Sequence, residues 1–199
     1  MTQFNNLREE APYLIFKKKY YEALNADEKS IEAVSIASYN AISKEVGSRY
    51  VNLKFINDNN FIFFSNYNSP KSIEFNTHDQ IAASFYWRSI NTQIRIKASI
   101  HKTSSEFNRK YFYERSSKKN ALAISSNQSQ KIDSYESVIS KYRKSLEIEE
   151  LNKCPDYWGG YSFTPYCFEF WEGHKSRLNK RDLYKLNNKG IWNHSLLEP

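Results

Sequence analysis

Hydrophobic and polar positions follow a helical rhythm near the start of the chain. Apolar residues recur at roughly helical intervals, at Leu14, Ile15, Tyr20, Tyr21 and Leu24. This spacing places apolar side chains on one face of a helix. Lysines at positions 17–19 lie between them, and we interpret these as a solvated face. The pattern predicts an N-terminal amphipathic helix over residues 12–24, ending at about residue 25.

From about residue 33 the rhythm changes to a period of two. Val51, Leu53 and Phe55 alternate with Asn52 and Lys54, as in a strand with one buried face, so Lys54 is expected to point away from the core. Turn-forming residues such as those at 57–60 bound the apolar runs. We predict a meander of antiparallel strands at residues 33–39, 50–56, 61–67, 81–87 and 92–102.

Helical and extended segments alternate in the second half of the chain. Ser104 and Ser105 followed by Glu106 are typical of a helix start, since serine hydroxyls cap free amides, and this helix is predicted to end near Arg115. A short helical piece after Lys119, a helix over 135–151 and strands over 157–172 and 183–196 complete the prediction. With no repeat or linker in sight, residues 1–199 are expected to form a single α+β domain of barrel type.

Charge narrows the kind of partner. The chain of 199 residues has a formal net charge of +7 and a pI near 9.2. Such a balance favours anionic partners: nucleic acid, a membrane surface or phosphorylated small molecules. The apolar runs are far shorter than the ~20 residues of a membrane span, so a soluble protein without a membrane partner is expected. With only Cys154 and Cys167, and no CxxC pair, we expect a reduced, cytoplasmic location.

Several chemistries lack their sequence signals. The five glycines form neither GxGxxG nor a P-loop, the four histidines lack HExxH spacing, and there is no GxSxG elbow. A dinucleotide fold, a metal site and acyl transfer are therefore not predicted. Interleaved basic and aromatic residues would suit single-stranded nucleic acid. Because no recognisable nucleic-acid motif accompanies them, a small-molecule site ranks higher and no nucleic-acid partner is expected.

Two stretches carry candidate recognition chemistry. Tyr111 and Arg115 lie four residues apart on one face of the predicted helix, either as an anion site or as a surface cation stacked on a tyrosine. Further on, residues 169–181 combine acids, aromatic residues and arginines more densely than a plain strand requires.

Six short blocks, taken together, resemble the pyridoxamine 5′-phosphate oxidase family over roughly residues 12–199. They are residues 49–54 (RYVNLK), 63–71 (FFSNYNSPK), 93–96 (QIRI), 127–129 (NQS), 158–160 (WGG) and 169–181 (EFWEGHKSRLNKR). The tail, with Trp192 and a terminal Leu-Glu-Pro, is also similar to the family.

The resemblance implies an FMN-binding split β-barrel with flanking helices, assembled as a homodimer with FMN in a cleft between the subunits. Residues 157–199 would form the family's dimerisation and substrate segment. The implied cofactor-binding residues are Arg49, Lys54, Phe64, Ser65, Lys71, Gln93, Gln128, Ser129, Trp171 and Arg181. The implied substrate-binding residues are Lys54, Tyr111, Arg115, Lys119, Arg177 and Asn179. Of these, Arg177 and Asn179 would be catalytic, with Arg177 orienting the substrate ring beside the flavin.

The chain departs from the family pattern near both phosphates. Pro70 replaces an arginine beside the phosphate lysine, and Lys119 replaces a serine. Asn179 and Lys180 stand in place of a histidine and an acid, so the pair no longer includes a group that titrates near neutrality. The family's N-terminal arm, with an arginine and a tyrosine over the substrate, has no confident counterpart ahead of Pro12.

Three functions are consistent with this resemblance. The first is oxidation of pyridoxamine or pyridoxine 5′-phosphate to pyridoxal 5′-phosphate by O2, giving H2O2. The second is a related FMN oxidation of another ring system, as in the phenazine branch of the family. The third is a non-catalytic protein that binds flavin or pyridoxal phosphate.

Overall fold

The computed structural model describes residues 1–147 and 150–199. Its helices are α1 Ala11–Asn25, α2 Pro70–Thr77, α3 Ser105–Glu114, α4 Ser117–Ser125 and α5 Tyr135–Ser145. Its first five strands are β1 Gln3–Asn5, β2 Ala33–Asn40, β3 Glu45–Asn52, β4 Phe55–Asn57 and β5 Asn60–Asn66. The others are β6 Gln80–Trp87, β7 Thr92–Lys102, β8 Trp158–Glu172, β9 Lys180–Leu186 and β10 Trp192–Leu196. A 3-10 turn, Arg88–Ile90, joins β6 to β7.

One ten-stranded sheet organises the molecule around β8. The strand order is β1-β4-β5-β8-β7-β6-β2-β3, with β9 added to β8 and β10 to β9. Among the described strands, β1 and β4 are the one parallel pair. The first part of β8 pairs with β5, with Ser65 opposite Gly159, and its last part pairs with β9, with Trp171 opposite Arg181. A register shift at Lys97 in the β7–β8 ladder bends the sheet locally.

Aromatic side chains fill the core. Phe16 of α1 lies edge-on against Phe61 and Phe85, with ring centroids 5.1 and 5.2 Å apart, so α1 covers one face of the sheet. Alternate residues of β7, including Ile94 and Ile96, are buried while those between them face outward. The period-two pattern thus reports which face of each strand meets the core.

Most predicted elements are confirmed, and so is the α+β split-barrel class. The N-terminal helix, α3 and the strands β2, β5, β6, β7 and β8 lie within a few residues of their predicted bounds. Ser104 caps α3, since its hydroxyl accepts a hydrogen bond from the amide of Phe107 at 3.2 Å. The helical piece after Lys119 is α4. The sequence pattern did not predict strand β1 or helix α2.

The strand predicted over residues 50–56 is wrong in its continuity. It is the end of β3 and the separate strand β4, interrupted at Leu53 and Lys54. At the break, the amide of Leu53 donates to Glu32 O and the amide of Lys54 donates to Ile62 O, both at 2.8 Å. The chain crosses there from its partnership with β2 to its partnership with β5. Long-range partners, which alternation cannot reveal, cause the break.

Two C-terminal bounds also need correction. The single strand predicted over 183–196 is a hairpin of β9 and β10, because Asn187 closes a turn by accepting hydrogen bonds from the amides of Lys189 and Ile191. Gly190 in this turn has a left-handed φ of 75°. The helix predicted over 135–151 ends at Ser145, and positions 148 and 149 of that prediction lie outside the described residues.

Candidate functional site

A cleft of about 610 Å³ opens beside β3, β5 and the start of α2. Its size falls in the ~300–1,000 Å³ range of small-molecule sites. Ten of the predicted site residues line it: Arg49, Lys54, Phe64, Ser65, Lys71, Tyr111, Arg115, Lys119, Gln128 and Ser129. Residues from four separate stretches of the sequence therefore meet in one place.

Lys71 is the buried cation of this cleft. Its side chain sits at the start of α2, where the residue is only 6% exposed, and Nζ donates to Ser65 Oγ at 3.1 Å and to Ser69 Oγ at 3.0 Å. Within residues 1–147 and 150–199, no carboxylate forms a salt bridge with it. Burial, with a further contribution from nearby Arg49, lowers the pKa of Lys71 to about 8. A buried ammonium held only by hydroxyls is suited to an anionic ligand.

The start of α2 reinforces this preference for an anion. Ser69 is the cap residue, and Pro70 occupies the first turn, where a missing N–H costs no helical hydrogen bond. The free amides at a helix start carry partial positive charge. Pro70 thus has a local role in beginning the helix, although it contributes no cation.

Arg49, in contrast, has its charge balanced within the protein. Its Nη2 lies 2.6 Å from Glu74 Oε2, and Nη1 donates to Ser38 Oγ at 2.5 Å and to Ile36 O at 3.3 Å. Glu74 comes from α2 and is mostly buried. The guanidinium is therefore held in a fixed orientation on the cleft wall.

Gln128 ties a loop to the end of β5. Its Oε1 accepts hydrogen bonds from Ser65 Oγ at 3.2 Å and from the amide of Asn66 at 3.1 Å. Ser65 in turn accepts from Lys71, so the three side chains form one hydrogen-bonded chain. Ser129 follows with a left-handed φ of 67°. The loop presents polar groups to the cleft in a defined geometry.

Arg115 is a second cation that lines the cleft, and it packs against a group of stacked aromatic rings. Phe64 stacks on Tyr111 with centroids 4.1 Å apart and on Trp158 with centroids 5.0 Å apart. The guanidinium of Arg115 lies 4.4 Å from the Trp158 ring centre, and its Nη2 donates to Lys119 O at 3.3 Å. Its Nη1 is buried and has no hydrogen-bond partner among the described residues.

Burial controls the ionisation of both members of the Tyr111–Arg115 pair. It lowers the pKa of Arg115 and raises the pKa of Tyr111. Arg115 stacks on Trp158 and Phe112 rather than forming an exposed pair with Tyr111. Arg115 is thus not a surface cation stacked on tyrosine, and the anion site stays a prediction.

Lys54 forms an ion pair at the mouth of the same cleft. Its Nζ hydrogen-bonds to Glu32 Oε2, while the other carboxylate oxygen of Glu32 pairs with the N-terminal amine. Neither Glu32 nor Glu74 was predicted as a site residue. Their contacts span 22 and 25 residues along the chain, and no local pattern signals them.

The remaining predicted residues lie elsewhere in the chain. Gln93, Trp171 and Arg181 are adjacent across β7, β8 and β9, near Arg177 and Asn179 in the following loop. Trp171 is twelve residues along β8 from Gly159, which pairs with Ser65 of the cleft. At ~3.3 Å per residue this is roughly 40 Å of strand. The structure thus brings the predicted residues together in two groups, the cleft group and a group at the far end of β8.

Ion pairs fix the orientation of Arg181. Its Nε and Nη2 each lie 2.9 Å from Glu169 Oε1, and Nη1 donates to Glu198 O at 2.8 Å. Arg95 pairs with the same carboxylate. Although partial burial opposes ionisation, hydrogen bonds from Arg181 and Arg95 lower the pKa of Glu169. Arg181 thereby links β8 and β9 to the C-terminal residues.

The loop before β9 closes on itself and displays Arg177. Asn179 Oδ1 accepts a hydrogen bond from the amide of His174 at 3.0 Å, and the amide of Arg177 donates to His174 O at 2.9 Å. Arg177 is exposed and has a left-handed φ of 60°, a conformation that costs most residues energy. The side-chain oxygen of Asn179 therefore helps to hold this loop in its conformation.

Close approach explains the glycine of the WGG block. A Cβ on Gly159 would lie 2.1 Å from Tyr67 Oη and 2.4 Å from Asn108 Nδ2. Those two side chains belong to a network in which Asn108 also accepts from the amide of Gly160 at 2.8 Å. The missing side chain lets β8 pass this network and place Trp158 against Phe64.

The described residues offer neither a candidate metal site nor a candidate membrane span. Among them, no group of three or more histidine, cysteine, aspartate or glutamate side chains is arranged to hold a metal ion. None of their helices is both long enough and apolar enough to cross a membrane.

Comparison with known proteins first places the fold. The structure of PhzG from Burkholderia lata, in complex with tetrahydrophenazine-1-carboxylic acid, superposes with a TM-score of 0.88 at 24% identity, covering 94% of this chain and 92% of that one. A pyridoxamine 5′-phosphate oxidase-related, FMN-binding protein from Nostoc punctiforme gives a TM-score of 0.79 at 15% identity, over 96% and 100% of the two chains. The architecture is that of the FMN-binding split barrels.

Sequence relatives then identify the family. Residues 158–199 match the model described as the pyridoxine 5′-phosphate oxidase C-terminal dimerisation region. Proteins named pyridoxine/pyridoxamine 5′-phosphate oxidase are 31% identical in Leptospira interrogans and 35% identical in a Nostoc species. Each alignment covers 94% of this chain and 88% of the relative. The chain belongs to the pyridoxine/pyridoxamine 5′-phosphate oxidase family.

Proposed function

We propose that this protein uses FMN to oxidise pyridoxamine 5′-phosphate or pyridoxine 5′-phosphate to pyridoxal 5′-phosphate, with O2 as acceptor and H2O2 as product. The observation that carries the proposal is a cleft in which two buried or half-buried cations, Lys71 and Arg115, lack a carboxylate partner among the described residues. A cofactor and a substrate that each bear a phosphate would require two such positions. Family membership supports the same reaction.

The cleft residues fit the cofactor. Lys71 would bind the FMN phosphate, with Arg49 beside it and the start of α2 behind it. Phe64, Ser65, Gln128 and Ser129 offer a ring face, hydroxyls and an amide within the same cleft. Bound FMN would supply the hydride acceptor and the reaction with oxygen.

The second wall fits the substrate. Arg115 would contact a phosphate oxygen from this wall, and Tyr111, Lys54 and Lys119 add a hydroxyl and two ammonium groups around it. Arg177 would orient the substrate ring, and Asn179 would hold the loop that carries Arg177. Such positioning determines whether the reacting hydrogen faces the flavin.

A homodimer completes the site in this proposal. Gln93, Trp171, Arg177 and Arg181 lie at the opposite end of β8 from the cleft of the same chain. A two-fold axis repeats each surface on both subunits, so a second copy can present this group to the cleft. The match of residues 158–199 to a dimerisation region supports this arrangement.

Anaerobic mixing tests the reaction. Protein saturated with FMN is mixed with pyridoxamine 5′-phosphate, and loss of the oxidised flavin absorbance is followed. We expect rapid bleaching, recovery of colour on admitting air, and formation of pyridoxal 5′-phosphate and H2O2. Pyridoxine 5′-phosphate is tested in parallel, and unphosphorylated pyridoxamine is the control.

The other outcomes are equally distinct. Bleaching by a different aromatic compound, with neither vitamin phosphate active, would select another oxidase reaction. A yellow protein that no amine or alcohol bleaches would be a binding protein. Either result would refute the proposed reaction.

A further inference from the structure

Glu32 lies beside the cleft as an internal counter-ion of Lys54. Its carboxylate accepts a hydrogen bond from Lys54 Nζ, and the side chains are 18% and 28% exposed. Their backbones are fixed too, since Glu32 O accepts from the amide of Leu53 at 2.8 Å and the amide of Lys54 donates to Ile62 O at 2.8 Å. The pair is therefore set at the crossing between β3 and β4.

Glu32 is negatively charged in this position. Partial burial opposes ionisation, but hydrogen bonds from Lys54 and from the N-terminal amine lower the pKa of Glu32. Glu32 also acts on Tyr111: burial is the main cause of the raised pKa of Tyr111, Arg115 opposes it, and the charge of Glu32 adds to it. The carboxylate thus influences two residues that line the cleft, Lys54 through a hydrogen bond and Tyr111 through its charge.

We propose that Glu32 sets the affinity of the cleft for phosphorylated ligands by competing with their phosphate for Lys54. This inference rests on the proposed function only in taking the phosphate to bind at Lys54, Tyr111 and Arg115. Glu32 acts through Lys54 and needs no contact with the ligand.

The physical reason is the sign of the charges. Because the Lys54 ammonium already interacts with Glu32, its attraction for a bound phosphate is reduced. The Glu32 carboxylate also repels the phosphate directly. Lys71 and Arg115, which have no carboxylate partner among the described residues, hold their phosphates without this competition. Glu32 therefore weakens retention of a phosphorylated product relative to a cleft that lacks this carboxylate.

The test replaces Glu32 by its neutral isostere. In FMN-loaded protein, Glu32→Gln keeps an oxygen for Lys54 and removes the charge, and titration should show tighter binding of pyridoxal 5′-phosphate and of inorganic phosphate. We expect dissociation constants to fall about five- to thirty-fold, as for loss of one like charge near a bound anion. Binding of unphosphorylated pyridoxal should not change.

A double-mutant cycle assigns the effect to Lys54. In a Lys54→Met background, Glu32→Gln should lose most of its effect on phosphate binding, because the competition no longer exists. Glu22→Gln is the matched control: Glu22 pairs with Lys19 at 3.0 Å on α1, and Lys19, unlike Lys54, does not line the cleft. It removes the same charge and should leave the constants unchanged.

Several results would overturn the proposal. Unchanged or weaker phosphate binding in Glu32→Gln would do so, as would an equal gain with Glu22→Gln or no phosphate binding by any variant. If Glu32→Gln fails to fold, as judged by its melting curve, Glu32→Ser is compared by the same titrations. Failure of flavin bleaching in the unmodified protein would refute the reaction without changing this binding comparison.

Discussion

Four of the five arginine and lysine side chains that line the cleft differ in how their charge is balanced. Arg49 is paired with Glu74 and Lys54 with Glu32, whereas the described residues offer Lys71 only hydroxyl partners. Arg115 is the fourth; it contacts a carbonyl and two aromatic rings, and its Nη1 has no hydrogen-bond partner in the part of the chain that the structure describes. Sequence resemblance identifies the cations but cannot rank them. Their ranking comes from carboxylates that only the fold brings near.

Replacing Lys71 by Met separates ligand binding from folding. Lys71→Met removes the buried ammonium but keeps a chain of similar length, so FMN affinity should fall about 30- to 100-fold as a charge-assisted contact is lost. The apoprotein should gain about 1–3 kcal/mol in unfolding free energy, because burial no longer penalises a charge. FMN titration and thermal melts measure the two effects. Lys18→Met, at an exposed position of α1, is the control.

The pH dependence of FMN affinity provides a second check on Lys71. Its pKa of about 8 in the free cleft should rise when a phosphate binds beside it. Below that pH the ammonium is charged in both states; above it, binding requires proton uptake, and affinity should fall by up to about tenfold per pH unit. Titrations from about pH 7 to about pH 10 should show this fall in the unmodified protein and not in Lys71→Met. A parallel fall in the variant would exclude Lys71 as its source.

The side chain of Arg177 is expected to position the substrate, and this role can be tested separately from its left-handed backbone conformation. Arg177→Ala should abolish flavin bleaching while FMN remains bound, since the residue is expected to position substrate only. Arg177→Gly should do the same and gain about 1 kcal/mol in stability, because glycine adopts a left-handed φ without penalty. Lys175→Ala, in the same exposed loop, is the control for surface charge. Loss of FMN from Arg177→Ala would place this arginine at the flavin instead.

At the scale of elements, alternation and capping predict what depends on neighbours in sequence. The burial pattern of β7 and the Ser104 cap of α3 follow directly from local residue order. The break between β3 and β4 does not, because the groups that fix Leu53 and Lys54 are Glu32 and Ile62. The β9–β10 turn was signalled locally by Asn187 and Gly190, and the single-strand prediction overlooked it. The β3–β4 break could not be predicted because its partners are distant in sequence, whereas the β9–β10 turn had a local signal that the prediction did not use.

The start of α2 offers a test of an element's contribution. Pro70→Arg introduces the cation common in the family next to Lys71, and we expect FMN affinity to rise about three- to ten-fold. The helix should lose about 0.5–1 kcal/mol of stability, because proline is pre-organised at this position. Pro70→Gln, similar in reach but neutral, should share the loss of stability without the gain in affinity. FMN titration at two salt concentrations measures the electrostatic part.

At the scale of the molecule, the predicted site residues divide between the two ends of β8. The motifs around Gln93, Trp171 and Arg181 could be matched to the family from sequence, and they do lie together. Their separation from Lys71 and Arg115 could not be read from the same motifs, because the register of β8 against β5 and β9 sets it. One chain therefore contains both halves of the proposed site without joining them.

Hybrid dimers test whether two copies join those halves. Lys71→Met damages the cleft half and Arg177→Ala the other, so each variant alone should turn over poorly. In the proposed homodimer, the cleft of one subunit meets the β8 end of its partner, so a mixed dimer should have one site with both lesions and one site with none. Random exchange makes half of the dimers mixed, and each mixed dimer has one intact site of its two. About one quarter of all sites, and so about one quarter of the activity of the unmodified protein, should therefore return.

The exchange is followed by separating differently tagged subunits after partial unfolding and refolding. FMN is kept at a concentration that saturates the unmodified protein but not Lys71→Met, and bleaching by pyridoxamine 5′-phosphate is the readout. Mixing Lys71→Met with a differently tagged Lys71→Met is the control and should restore nothing. If tagged subunits exchange and no activity returns, the two groups serve a site within one chain. In that case the cleft and the far end of β8, separated by roughly 40 Å of strand between Gly159 and Trp171, would have to approach each other within one chain. Recovery of activity therefore discriminates between a site shared by two subunits and a site within one chain.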